Sequence, residues 1–205
     1  MRHFDSGFTA ALQATRESGI APVHFVWVVA RDRETGAATP MGLWSGDYDL
    51  EVSVPLADGT GVVSRSYIGG CGLRVSGLKY VGDLTDSPVT VSLSQIADAA
   101  QYLVRGLDVR LAYCEIHATS MTGGSFVSAP QLQWVGIVDD GPISTPAAGG
   151  EGGVALSIRS ELMAMLTATN PAKSSDAHQK RRRAGDRFSE YASTINSRKM
   201  DWYKE

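Results

Sequence analysis

The 205-residue sequence predicts a mainly β protein: two β-sandwich or barrel units, two short helices and an extended C-terminal arm. Three observations predict it. Apolar and polar residues alternate over strand-length runs, as with Tyr48, Leu50, Val52 and Val54 against Asp47, Asp49, Glu51 and Ser53. Turn-forming pairs such as Asp58-Gly59 and Thr60-Gly61 punctuate those runs. Helical spacing is confined to short stretches, and past Asn170 the alternation ceases. An apolar content of 43% with 20% charged residues is enough to bury a core of ordinary size.

The elements follow in order. Residues 1–19 hold an amphipathic helix, with Asp5 or Ser6 placed to cap it and Gly19 where a left-handed stop belongs. Residues 20–93 form the first β unit. There Val23 to Ala30, rich in β-branched and aromatic residues, pairs across the polar turn stretch RDRETGAAT with GLWSGDYDLEVSV as a long hairpin. After the DG and TG turn, Val63, Arg65 and Tyr67 alternate against Ser64, Ser66 and Ile68, and strands follow in LRVSGLKYVG and PVTVSLS. Residues 94–106 are a linking helix, capped by Ser94, carrying Ile96, Ala99, Ala100, Leu103 and Val104 at helical spacing and stopped by Gly106. Residues 107–170 form the second β unit from LDVRLAYCEIHA, APQLQWVGIVDD and GVALSIRSELMAML, the last with helical periodicity from Arg159 onward. The glycine-rich PAAGGEGG is a flexible loop. Residues 171–205 are the arm.

Charge divides unevenly along this plan. From Lys173 onward nine Lys/Arg stand against five Asp/Glu, net +4, which leaves ten against seventeen, net −7, for residues 1–172. The body repels phosphate and the arm attracts it. No secretory leader pattern opens the chain, so folding in a reducing cytoplasm is expected. The apolar run from Val23 to Ala30 is too short to cross a bilayer as a helix.

Chemistry has little sequence support. Cys71 and Cys114 lie far apart without CxxC or flanking histidines, which argues against zinc and iron–sulfur sites and predicts two small buried apolar residues. No GxxxxGK[ST] or strand-linked GxGxxG occurs, and GGEGG leads into a strand. His24 and His117 sit in predicted strands, and Glu115 with His117 share one strand face without an HExxH pattern or third ligand. Met121 to Phe126 lacks GxSxG spacing and reads as a loop between strands. Asp47, Asp49 and Glu51 have the pattern of a strand's solvent face. The expectation is no catalytic residue, no metal and no cofactor.

The arm is different. Its arginines, Arg181, Arg182, Arg183 and Arg187, interleave with Phe188, Tyr191, Trp202 and Tyr203. Arginine and large aromatics are enriched at protein–protein contacts, so these eight residues are the candidate partner-binding set. Net +4 spread over this length, beside an acidic body, falls short of a DNA grip.

Two stretches of sequence carry a resemblance. Arg31-Asp32 in a turn, Asp47 to Leu50 as D-x-D-L, Val75 to Leu78 as V-x-G-L, and Arg105 to Leu111 after a helix resemble the amino-terminal region of tail-tip hub proteins of long-tailed (siphovirus-type) phages and gene transfer agents. In the arm, Ser175, Asp176, Gln179, Arg182, Gly185, Asp186, Arg187, Tyr191 and the late Trp202 resemble a phage tail-protein ending. The resemblance implies a structural virion protein at the tail tip, made in the host cytoplasm. It implies a homotrimeric baseplate hub that caps the tube below the distal tail ring. The implied partners are the distal tail protein, the tape-measure protein and the central tip or receptor-binding fibre protein. Some relatives carry a cysteine-rich iron–sulfur domain, which two cysteines cannot supply. The alternatives are a distal tail ring subunit and a carbohydrate- or cell-surface-binding β-sandwich module using Trp27, Trp44, Trp134 and the acids near Asp47.

Overall fold

In the computed structural model, which describes residues 5–14, 22–79, 85–141, 143–144, 152–167, 175–192 and 194–197, the β-branched and aromatic run after Ala21 forms a strand whose Phe25, Val26 and Val28 are fully buried. Helix α1 (Ser6–Ala14) precedes it, capped by Asp5, whose Oδ1 accepts from Gly7 N at 2.8 Å and Phe8 N at 3.3 Å. The expected stop at Gly19 lies outside the described residues.

Strand β1 (Pro22–Asp32) pairs antiparallel with β2 (Ala38–Trp44) across a turn in which Asp32 accepts from Glu34 N and Thr35 N. The long hairpin expected to continue through Val54 ends at Trp44. β3 (Leu50–Pro55) leaves that sheet and pairs instead with β4 (Val62–Tyr67) as a separate two-stranded ribbon. Its turn uses Gly59 at φ +72° and Asp58, which accepts from Thr60 N and Oγ1, as the DG signal predicts.

Then come β5 (Arg74–Ser76), β6 (Val89–Ser94), the one-turn helix α2 (Asp98–Gln101) and a π-turn over Tyr102–Gly106. Ser94 caps nothing: it closes β6 opposite Gly153, and the helix starts only at Asp98 without a side-chain cap. Strand pairing takes Ser94, Gln95 to Ala97 form a turn ahead of the helix, and Ile96 is left in solvent. Beyond these lie β7 (Leu107–Thr122), β8 (Ser125–Phe126), β9 (Gln131–Asp140), β10 (Ile143–Ser144), β11 (Gly153–Ser160) and α3 (Glu161–Thr167). Met121 to Phe126 is a tight hairpin, not an open loop: Met121 pairs with Phe126 around Gly123 and Gly124, both at positive φ. The strand-to-helix change suspected after Arg159 occurs at Glu161.

The main sheet runs β2-β1-β7-β9-β11-β6-β5, antiparallel throughout and curled as a half-barrel, with β8 and β10 as short additions. Strands from residues 20–93 and from 107–170 therefore share one sheet. The two segments do not close as separate sandwiches, because β1 pairs with β7 and β6 with β11. A single core fills the concave face, with Val26, Val28, Leu43, Val91, Leu103, Ile116 and Leu156 at or near complete burial. Burying each such side chain contributes about 1.5–3 kcal/mol.

A β-bulge sets which residues of β7 face this core. Leu107 and Val109 point inward, then Leu111 adopts φ +60° and the pairing with β1 slips between Val29 and Arg31. Beyond the slip the inward parity changes to Ala112, Cys114 and Ile116. Glu115, His117 and Thr119 are thereby turned to the opposite face, yet they are buried. The β3–β4 ribbon covers Glu115 and His117 through Arg65 and the Pro55 carbonyl, and Thr119 bonds Ser128 after β8.

Phe25, Trp44, Val54 and Tyr67 form a second core under that ribbon. Phe25 stacks on Trp44 at 5.7 Å and meets Tyr67 edge-on at 5.1 Å. Gly42 makes the approach possible, because a Cβ there would collide with the Ser66 carbonyl oxygen and lie 2.9 Å from the Tyr67 ring. The chain folds as two compact units, Met1–Leu166 and Thr167–Glu205, and all the strands belong to the first. In the second, α4 (Asp176–Arg182) and a run of turns through Ser197 replace the extended arm that lost alternation predicted.

Replacing Gly42 by Ala should lift the ribbon and destabilise the fold by about 1–3 kcal/mol, the usual consequence of forcing one extra carbon into a packed contact. A lower urea midpoint at unchanged slope is the expected reading.

Candidate functional site

Two polar features merit analysis: the buried layer between ribbon and sheet, and the exposed C-terminal segment. The first grows from strand parity. Arg65 lies on the inward side of β4 between Val63 and Tyr67, and Glu115 lies on the ribbon-facing side of β7. Arg65 Nη1 donates to Glu115 Oε2 at 2.6 Å and Nη2 to Oε1 at 3.4 Å, a two-pronged pair with both side chains buried. The guanidinium also sits 4.6 Å above the Trp27 ring. His117 Nε2 is 3.2 Å from the Pro55 carbonyl oxygen and 3.8 Å from Glu115 Oε2, while Nδ1 has no hydrogen-bond partner.

Burial opposes charge on Arg65, but Glu115 more than offsets it and holds the guanidinium above its ordinary range. Burial pushes His117 below 6.5, with Pro55 and Glu115 pulling the other way. His117 is therefore neutral at pH 7. Burial raises Tyr67 to about 12, and burial and Glu115 together raise Tyr113. The layer holds two opposite charges that neutralise each other and a neutral imidazole. It joins ribbon to sheet, with Arg65, Glu115 and His117 all buried. Sequence pattern put Arg65 on an apolar strand face and Glu115 with His117 on another. The missing step was that two inward-facing opposite charges have to meet.

The remaining polar candidates are scattered. Asp47, Asp49 and Glu51 lie in solvent, with Asp49 accepting from Gly69 N and Glu51 from Ser64 Oγ. Trp44 is buried, Trp27 is half-buried with the Arg65 guanidinium over its ring, and Trp134 is half-buried against the main core. Cys71 and Cys114 are buried and unbonded to each other, and burial raises both thiols. Among the described residues no three His, Cys, Asp or Glu side chains gather as a metal site.

The C-terminal segment is built locally. Ser175 caps α4 through His178 N at 3.3 Å, and Lys180 pairs with Asp176 one turn earlier at 2.8 Å. Arg181, Arg182 and Arg183 close the helix at its negative end and lie in solvent. Asp186 then accepts from Phe188 N, turning the chain so that Phe188 is 89% exposed, beside exposed Arg187, Tyr191 and Ile195. Trp202 and Tyr203 lie outside the described residues. Six of the eight candidate partner-binding residues are thus exposed within one short stretch.

No family model matches the chain, and no curated protein matches it in sequence.

Two outcomes test the buried layer. Glu115→Ala should cost about 3–5 kcal/mol by stranding Arg65, while Arg65→Met with Glu115→Leu should cost much less than the single change. Urea unfolding of Glu115→Leu, Arg65→Met and the double checks this, the double costing well under the sum of its two singles. His117 adds a pH limb. Its folded pKa lies below the unfolded 6.5, so the unfolded chain takes up the proton first and stability declines as pH falls below 6.5. His117→Gln should flatten that part of the stability–pH curve.

Proposed function

We propose that the protein is a structural virion protein: a tail-tip baseplate hub subunit that caps the tail tube below the distal tail ring and anchors the central tip or receptor-binding protein. The single observation that carries the reading is the C-terminal segment. It exposes Phe188, Tyr191 and four arginines on a short, locally capped helix-and-turn unit, and exposed aromatic and arginine side chains are what partner subunits bury most productively. The order of motifs shared with tail-tip hub proteins supports the same reading.

Charge is consistent with it. A body of net −7 beside a DNA conduit lets phosphate slide past without sticking, and the cationic segment is left to engage acidic protein neighbours. In this reading the neighbours are the distal tail protein, the tape-measure protein and further copies of the chain, a trimer in the assembled tail. The β half-barrel serves as a rigid building block, and the chemistry is that of association.

Antibody-gold labelling of intact particles tests the reading directly. Label at the tail tip is the expected result, and particles that contain none of the protein would overturn it. Separately, changing Arg181, Arg182, Arg183 and Arg187 to Ser should shift the melting temperature of the purified chain by no more than a few degrees, because solvated charges contribute little. Incorporation into particles, read by immunoblot, should fall severalfold.

A further inference from the structure

The β3–β4 ribbon is tied to the half-barrel differently at its two ends. At the base the ties are main-chain bonds: Trp44 N donates to the Ile68 carbonyl at 3.1 Å, Ile68 N to the Gly42 carbonyl at 3.0 Å, and Gly70 N to the Gly46 carbonyl at 2.8 Å. Gly69 N donates to Asp49 Oδ1 at 3.0 Å, which joins the chain entering the ribbon to the chain leaving it. Towards the far turn the polar ties are to side chains of β7. The Pro55 carbonyl oxygen lies 3.2 Å from His117 Nε2, five residues and roughly 17 Å along β3 from Leu50. The Arg65–Glu115 pair lies between the two ends. Apolar burial holds the rest, with Val54 fully covered.

This attachment makes the ribbon a separable unit. β3 and β4 pair with each other in a sheet of their own. No residue from 44 to 70 belongs to the main core, which takes its members from Leu43 and before and from Cys71 and after. The ribbon can therefore leave the convex face while the half-barrel keeps its core and its ladder.

The far tie suits one protonation state of His117. The neutral ring with its proton on Nε2 donates to the Pro55 carbonyl. A second proton would sit on Nδ1, which has no hydrogen-bond partner, in a side chain with no exposed surface. Two charged groups face the ring: Glu115 on β7 and Arg65 on β4. Glu115 is already engaged by both prongs of Arg65 and stays 3.8 Å from His117 Nε2, too far for a hydrogen bond, while Arg65 repels an imidazolium. The hydroxyls of Tyr67 on β4 and Tyr113 on β7 remain protonated, since burial raises both. Opposite His117, β1 places Phe25 and β9 places Leu132, neither of which titrates. Protonation would thus leave two cations and one anion sealed in the layer, whereas an open ribbon lets water solvate them.

We propose that His117 is an acid-sensitive latch: taking up a proton there frees the β3–β4 ribbon from the sheet about its base at Gly42 and Ile68, while the half-barrel stays folded. Opening uncovers Phe25, Trp27 and Trp44. The sign follows from linkage. The open form binds the proton as an ordinary imidazole does, near pH 6.5, and the closed form binds it more weakly. Closure is therefore unaffected above that pH, and below it the opening constant rises by up to about tenfold per pH unit. Such a latch does not depend on where the protein assembles.

Hydrogen exchange of the full chain, read by mass spectrometry at pH 7.5, 6.5 and 5.5 and corrected for the intrinsic rate at each pH, is the test. Peptides from β3 and β4 should show an opening constant about tenfold higher at pH 5.5 than at pH 7.5. Peptides from β6 and β11 should show no such change. His117→Gln keeps a donor for the Pro55 carbonyl but takes up no proton, and it should make the ribbon indifferent to pH. His24→Gln, on the opposite face of β1, should leave the response in place. If His117→Gln does not fold, the comparison of ribbon and main-sheet peptides within the native chain still decides. Ribbon protection that is constant with pH, loss of protection in β6 and β11 in step with the ribbon, a response that survives in His117→Gln, or one abolished in His24→Gln would each overturn the latch.

Discussion

The structure depends on β1 and the second half of β7 being buried on both faces. A strand at the middle of a curled sheet has its concave side covered by the core, but its convex side needs a lid. The β3–β4 ribbon is that lid. Without it, Phe25, Trp27, Trp44, Glu115 and His117 would lose their cover, and Glu115 would have no counter-ion. The lid is fastened by unlike means. Apolar burial supplies most of the favourable energy, and the edge-on contacts of Tyr67 with Phe25 and Trp27 add about 0.5–1.5 kcal/mol per ring pair. The Arg65–Glu115 pair supplies little net stability, because two desolvated ions roughly cancel their own attraction. Its effect is on register. Sliding the ribbon by one residue would turn Arg65 outward and leave Glu115 buried alone, a penalty that an apolar contact in the same place would not impose.

That division of labour explains what was legible in the sequence. Alternation and turn chemistry are local, and they identified nearly every strand: the inward set Val63, Arg65 and Tyr67, the solvent set Asp47, Asp49 and Glu51, and the Asp58-Gly59 turn. Pairing is not local. Nothing between Leu50 and Tyr67 says that this hairpin abandons the sheet it follows, and nothing in PVTVSLS says that it pairs with Gly153–Ile158, so the two halves of the chain read as separate units. The bulge at Leu111 was hidden for a related reason. LDVRLAYCEIHA alternates in both of its halves, and only the inward parity changes between them. Helical spacing misled at Ser94, where a strand pair outcompetes the first turn of a weak helix.

The candidate site was legible in composition but not in conformation. Interleaved arginine and aromatic residues marked the C-terminal segment as a contact surface, and those of them that are described are exposed. Loss of strand alternation was read as an extended arm, whereas Ser175, with Asp176 and Lys180 one turn apart, carries a capped helix. A polar, charged segment can be helical when its cap and its i,i+4 pair are right, so lack of an apolar stripe is poor evidence for extended chain.

The edges of the sheet constrain how copies can meet. An open half-barrel has two free edges, and unprotected edges invite indefinite strand-to-strand growth. Here both are blunted. β2 carries Pro40, which cannot donate to a ladder, and its other end is occupied by Ile68, with Trp44 N donating to the Ile68 carbonyl at 3.1 Å and Ile68 N to the Gly42 carbonyl at 3.0 Å. β5, at the far edge, offers only three residues. Main-chain augmentation is therefore a poor route to association, which is left to side-chain surfaces. Blocked edges favour contacts of defined geometry over open-ended sheet growth.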